Sequence, residues 1–280
     1  MFINIRYLAI TLIAVFIALG IGILIGFQLD SNDLILIQQH ELIESLEETF
    51  EELTETNQAL ETKIKNLTQD LQRSQTFMEA IAGDYLHQRL LGQNIALVKT
   101  SSGLDYSPLT NILDSAGATI TGSVTIADSI PSQEQSEKAG QSNPPLYTLI
   151  AAAIVDGDLN TLADLKQQNL VEAEGAFSVP PDFVIIAGGS RTPTDRPELI
   201  DIPLIKEFKQ RNIPVVGVES TEADYSYMDY YKKERISTVD NVDTIIGQTS
   251  LVLIMAGQEG NFGVKASAAT LIPLTRKEQQ

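Results

Sequence analysis

The chain contains no cysteine, no tryptophan and only two histidines in 280 residues. Without cysteine there is no disulfide framework, no zinc–thiolate site and no thiol nucleophile. His40 and His87 both fall in a stretch that reads as one long helix, so a histidine base beside a nucleophile is not on offer in the rest of the chain. Methionine is scarce too, at four residues: Met1, Met78, Met228 and Met255. Soft copper prefers Cys, Met and His, and no His or Met pair here has ligand spacing on one helix face. Base is outweighed by acid, with 19 Lys and Arg against 37 Asp and Glu and a formal charge of -18. That balance argues against nucleic acid and against docking on anionic lipid by charge. Neither G-x-G-x-x-G after the first strand nor G-x-x-x-x-G-K-[ST] anywhere marks a phosphate cradle. No spaced pair of carboxylates stands out as acid and base. The chain reads as a non-enzyme with no cofactor and no metal site of its own.

What is present begins with Leu8 to Phe27, LAITLIAVFIALGIGILIGF, apolar on every side. About 20 such residues span the roughly 30 Å hydrocarbon core of a bilayer. The exit, Gly-Phe-Gln-Leu-Asp, lacks the small-x-small pattern of a cleavage site, so the expectation is an uncleaved anchor. Arg6 is the only charge before the span, while Asp30, Asp33, Glu41 and Glu44 follow it before the first base at Lys63. The basic end stays in the cytoplasm, which puts the bulk of the chain outside. Outer-membrane spanning elements are closed β-barrels, so a single apolar helix fits the cytoplasmic membrane. Gly22 and Gly26 form a GxxxG pattern that lets two helix backbones approach closely.

From Leu34 to about Gly92 apolar residues recur at alternating spacings of three and four. Ile43, Phe50, Asn57, Ile64, Leu71, Met78 and Tyr85 occupy heptad position a. Leu46, Leu53, Leu60, Leu67, Ser74 and Ile81 occupy position d. No proline interrupts the run, which predicts a coiled coil. From Ile43 to Tyr85 such a helix extends about 65 Å at 1.5 Å per residue. Leu at d, Ile at some a positions and one Asn at a favour two parallel strands, with Leu46, Leu53, Asn57, Leu60, Ile64 and Leu67 at the seam. The flanking pairs Thr49–Thr54, Thr56–Glu61, Lys63–Thr68 and Asp70–Gln75 are neither attractive nor repulsive. The other reading is a long helix folded back on the globular part of a monomer. Seven Glu lie between Glu41 and Glu55 with no base among them, as on a solvated helix face.

After Gly92 the period changes. Short apolar runs at 94–99, 182–187, 213–218 and 236–239 read as buried strands, and 119–126 alternates like a strand. Helical periods cover 107–115, 146–169, 202–211 and 242–256, and 129–145 reads as a loop. This rhythm argues a parallel sheet with helices on both faces, of Rossmann-like or flavodoxin-like kind. The expected organisation is a short tail and anchor over 1–29, a stalk over 30–92 and an extracytoplasmic α/β domain over 93–280. In such a sheet a ligand crevice lies beyond the carboxyl ends of the strands. Thr100, Ser101, Gly188, Gly189, Ser190, Asp240 and Asn241 sit there, and they serve equally as ordinary turn residues. Tyr225, Tyr227, Tyr230 and Tyr231 surround Met228, either as a partner surface or as packing of a loop onto the sheet.

Two stretches carry a family resemblance. One is Ile5-Arg-Tyr followed by the apolar run to Gly26. The other comprises Ser237-Thr-Val-Asp-Asn-Val-Asp-Thr244, Gly247-Gln248, Asn261-Phe-Gly-Val264 and Leu271-Ile-Pro-Leu274. Together with the order of anchor, coiled coil and α/β domain, these resemble the mycobacterial copper transport protein B (MctB) family over nearly the whole chain. Leu8 departs from the family, whose members often have His after Arg-Tyr. The resemblance implies a role in copper transport or copper homeostasis in the cell envelope, with copper as the cargo. The residues themselves fit equally a metal-independent scaffold or interaction module with an envelope protein partner, or a sensor whose α/β domain binds a small molecule.

Overall fold

The computed structural model describes residues 5–128 and 144–273, with backbone alone at 5 and 28–35. The predicted loop at 129–145, Met1 and Leu274 thus lie wholly or mostly outside the described residues. The chain divides into two compact units, one ending at Arg73 and one starting at Ser74.

The described residues of the first unit are all helical and belong to α1, Ile5–Leu86. Within it Arg6–Phe27 has a mean hydropathy of 3.0 and holds no buried residue. By length and composition that segment suffices to cross a bilayer. Gly22 and Gly26 have open space where a side chain would stand. Farther along, Leu46, Leu53, Leu60, Ile64 and Leu67 are each about half exposed in the single chain, and Asn57 is exposed beside them.

The second unit begins with the last turns of α1 and continues into the sheet. Its strands are β1 (Asn94–Lys99), β2 (Thr119–Ile126), β3 (Val171–Gly175), β4 (Phe183–Gly188), β5 (Val215–Glu219), β6 (Ser237–Val239) and β7 (Asn261–Phe262). Among the described residues they form one sheet in the order β3-β2-β1-β4-β5-β6-β7. Every pairing is parallel except β2 with β3. Five of the strands were expected; β3 and β7 were not. β3 is short and half acidic, and it is reached through Asn169 in the left-handed region (φ 55°) directly after a helix.

The helices are α2 (Pro108–Ser115), α3 (Leu146–Asp156), α4 (Leu159–Gln167), α5 (Ile202–Gln210), α6 (Met228–Lys233) and α7 (Ile245–Met255). The predicted helical stretch 146–169 breaks in two at Gly157, whose φ of 69° ends α3; Asp158 then caps α4 through the amides of Asn160 and Thr161. A π-turn at Pro197–Asp201 precedes α5. Pro203 has no amide to give the carbonyl of Leu199, and the Ile202 amide reaches back five residues to Pro197.

Strand alternation builds two cores. Ile95, Leu97, Ile185, Ala187, Val216 and Val218 face one way, toward α2, α7 and the end of α1. Ala96, Val98, Val184 and Ile186 face the other way, toward α3, α4, α5 and α6. Both faces of the sheet are therefore covered, as the near-continuous apolar strands require. At the end of α1, Ala82 and Leu86 bury against the first of these cores together with Leu90. Backbone bonds from Leu90 to Ala116 (2.8 Å) and from Thr119 to Gln93 (2.8 Å) fix the passage from helix to sheet.

Candidate functional site

The order of the strands reverses direction at β1, which has β2 on one side and β4 on the other. That switch point is where an open α/β sheet offers a crevice. Here the chain fills the place with its own groups.

Thr100 extends the β1–β4 ladder through its amide, 2.9 Å from the carbonyl of Ala187. Its hydroxyl donates to Asp201 Oδ2 at 2.8 Å, and its carbonyl accepts from Arg196 Nε at 2.9 Å. The same guanidinium donates to the carbonyls of Ala127 (3.0 Å) and Asp128 (2.9 Å). Arg196 thus gathers the carboxyl ends of β1 and β2 under one planar fork of donors. It can do so because the π-turn begins at the next residue and presents Arg196 and Asp201 to the same threonine. Ser101 is buried beside Thr100 and its hydroxyl accepts from the Gly103 amide at 3.4 Å.

Gly188 lies against three side chains: any methyl placed there would meet the Tyr231 hydroxyl, the Tyr227 ring and the Asp201 carboxylate. Its carbonyl accepts from the Tyr106 hydroxyl. Gly189 adopts a φ of 98°, which glycine alone takes readily, and it packs on Ala223 and Glu219. Ser190 bridges to Tyr225 through two backbone bonds of 3.1 and 2.8 Å. Thr100, Ser101, Gly188, Gly189 and Ser190 are therefore neighbours along β1 and β4.

Asp240 and Asn241 stand two strands away, beyond β6, and serve a different contact. The Asp240 carboxylate accepts from the amides of Val264 (2.7 Å) and Lys265 (3.0 Å), with Gly263 pressed against it at φ 142°. The Asn241 carbonyl accepts from Thr244, whose hydroxyl caps α7 by accepting from the Gly247 amide at 3.2 Å. Gly247 is obligatory because Asn241 occupies the space of a side chain. Of the stretches that carry the family resemblance, those around Asp240–Thr244, Gly247 and Asn261–Val264 thus meet in one clasp joining β6, β7 and α7.

That clasp delivers Lys265 to the end of β5. Lys265 Nζ pairs with Glu219 Oε1 and also donates to the carbonyls of Ser220 (3.1 Å) and Ala223 (2.7 Å). The other Glu219 oxygen accepts from the Tyr227 amide at 2.7 Å. Glu219 is fully buried, and burial raises its pKa against the pull of Lys265. Burial also pushes Asp201 up to about 6, opposed by the hydrogen bonds from Tyr231 and Thr100. Tyr106, Tyr227 and Tyr231 are all raised by burial in the same interior.

Sequence reasoning missed Arg196, Asp201, Tyr106 and Lys265. Nothing local marks them, since their partners lie roughly 20 to 100 residues away. Of the four tyrosines around Met228, Tyr227 and Tyr231 are buried with Met228, while Tyr225 and Tyr230 are partly buried and joined through their hydroxyls at 3.1 Å. The group packs onto the sheet.

Beyond β2 a cleft of about 470 Å³ opens, lined by Ser102, Thr125, Asp128, Lys166, Asn169 and Glu172. For copper as cargo, the donor set is the test. Met228 and Met255 are buried in the two opposite cores of the sheet, so one ion cannot touch both. His40 on α1 and His87 in the turn that follows it are exposed and 47 positions apart in sequence. Among the described residues no three His, Asp or Glu side chains converge as a metal site.

No curated protein matches the chain at a significant level. A family of envelope proteins matches it from residue 2 to residue 273, under the description "Copper transport outer membrane protein, MctB". With nearly its whole length covered, the chain belongs to the MctB family of copper transport outer membrane proteins.

Proposed function

We propose that this chain is an anchored, non-enzymatic component of copper homeostasis in the cell envelope. Arg6–Phe27 holds it in the cytoplasmic membrane as a single pass, and the α/β unit lies outside the cytoplasm. Family membership carries the copper role. The manner of acting rests on one observation. The strand ends at the switch point are held by the chain's own Arg196 and Asp201, and the end of β5 by Glu219 and Lys265. A module so held works through its surface and its partners. A lone helix per chain forms no pore, so copper movement requires an assembly or a separate carrier. The test is intracellular copper in the host after a copper challenge, with and without the gene. Copper that rises on deletion and returns with the full chain supports the role; copper that stays level contradicts it.

A second reading is favoured by the separation of Met228 and Met255 across the sheet. In it the chain is an envelope scaffold that handles no metal, and its loss disturbs the envelope at every copper concentration alike.

A further inference from the structure

We infer that the exposed a/d face of α1 is covered by a second copy of this chain, parallel and in register. This deepens the anchored-component reading and rests on its membrane tether.

Three observations choose the occupant. First, the face is narrow. Ile43, Leu46, Phe50, Leu53, Leu60, Ile64, Leu67 and Leu71 leave between 49% and 66% of their surface exposed, on a face only two heptad positions wide. Large apolar side chains in continuous array call for a cover, and a strict a/d stripe is the geometry of a two-helix seam. Second, polar layers choose their own kind. Asn57 sits at an a position, where an identical Asn offers both donor and acceptor; an unrelated apolar helix leaves that amide unsatisfied. The anchor ends at the same distance from Asn57 in every copy, so two copies in one membrane meet in register without adjustment. Third, charge permits it. Glu44, Glu48, Glu51, Glu52 and Glu55 fall at b, c and f, away from the seam, and no flanking pair sets like charges together.

Within the second unit the last turns of the seam stay free. Ala82 and Leu86, which bury against the sheet, occupy positions e and b. Ile81 and Tyr85, at d and a, remain 53% and 46% exposed. Docking of the helix end onto its own sheet and pairing with a second copy therefore use different faces of α1.

The absence of cysteine makes the test direct. Single substitutions Leu46→Cys, Leu60→Cys and Ile81→Cys are introduced into the full chain in its native membrane, with Gln58→Cys, at position b, as the outward control. After mild oxidation, each of the three seam variants is expected to run at twice the chain mass on a non-reducing gel, and the control as a single chain. An antiparallel pair would link mixed Leu46→Cys and Ile81→Cys chains while neither links to itself, and that overturns the proposal. So does cross-linking of the seam variants to a protein of different mass, or equal linking of the control. The substituted side chains are exposed, so none is needed for folding. The readout is independent of copper, so a dimer without a copper phenotype faults the functional reading and not this one.

Discussion

The hydroxyl of Thr100 donates to Asp201 Oδ2 at 2.8 Å, and the carbonyl of the same Thr100 accepts from Arg196 at 2.9 Å. One residue at the end of β1 is thereby held at both its side chain and its backbone by the turn that opens α5. Tyr231 donates to the same Asp201 oxygen, while Oδ1 has no hydrogen-bond partner among the described residues. Burial away from water, working against those two hydrogen bonds, makes this carboxyl hold its proton more tightly than a free one.

The pH dependence follows from that. Burial raises Asp201 from an ordinary 3.8 to about 6 in the folded chain. The folded state therefore binds this proton more tightly than the unfolded state does. The associated stability is full below the ordinary carboxylate range and is lost as pH rises through about 6. Asp201→Asn, which cannot ionise, is expected to flatten the change in thermal midpoint between pH 4 and pH 7 relative to the parent. An unchanged slope would show that Asp201 titrates normally. Glu219, raised in the same direction, leaves a residual slope in the variant.

Lys265 is a second point of leverage. Lys265→Met leaves Glu219 buried with no cation beside it. Removing one partner of a buried pair costs about 3 kcal/mol. Chemical denaturation is expected to show a loss of that order, of which Glu219→Gln in the same chain restores a substantial part. A loss of under about 0.5 kcal/mol, the range of ordinary surface substitutions, would place the pair in water.

Gly217 lies beneath the ring of Tyr231, with no room for a methyl group. Gly217→Ala is expected to destabilise the α/β unit by about 1–3 kcal/mol, the range for overpacking a filled core. Tyr231→Phe, which keeps the ring and removes the donor to Asp201, should cost less and should alter the pH slope as well. Equal costs with unaltered slopes would separate the ring from the carboxylate.

The methionines are expected to matter only as filling. Met228→Leu and Met255→Leu conserve volume in their separate cores and should each cost less than about 1.5 kcal/mol. Copper tolerance of a strain carrying both should equal that of the parent. Loss of tolerance with stability preserved would assign the thioethers to copper.

These outcomes also mark how far the chain could be read beforehand. The apolar span, the long helix and five strands are legible because each is a local period. β3 escaped because five residues of alternating acid and small apolar side chains look like a loop until β2 lies beside them. Thr100, Gly188 and Ser190 were placed at strand ends by the fold rule alone. Arg196, which holds the ends of β1 and β2, and Lys265, which holds the end of β5, are scattered in sequence and were invisible to it. Asp240 and Asn241 were visible, but their work in the clasp depends on Gly247 and Gly263, whose need for a missing side chain shows only in three dimensions.

The most direct measurement is calorimetric titration of the purified full chain, in detergent, with Cu(I) and with Cu(II). For a chain whose strand ends are held by its own side chains and which acts in copper homeostasis through partners, as proposed, only weak, non-stoichiometric heats are expected, like those of scattered surface carboxylates, and the same heats from the Met228→Leu, Met255→Leu chain. Tight binding of one copper per chain, lost in that variant, would contradict that proposal.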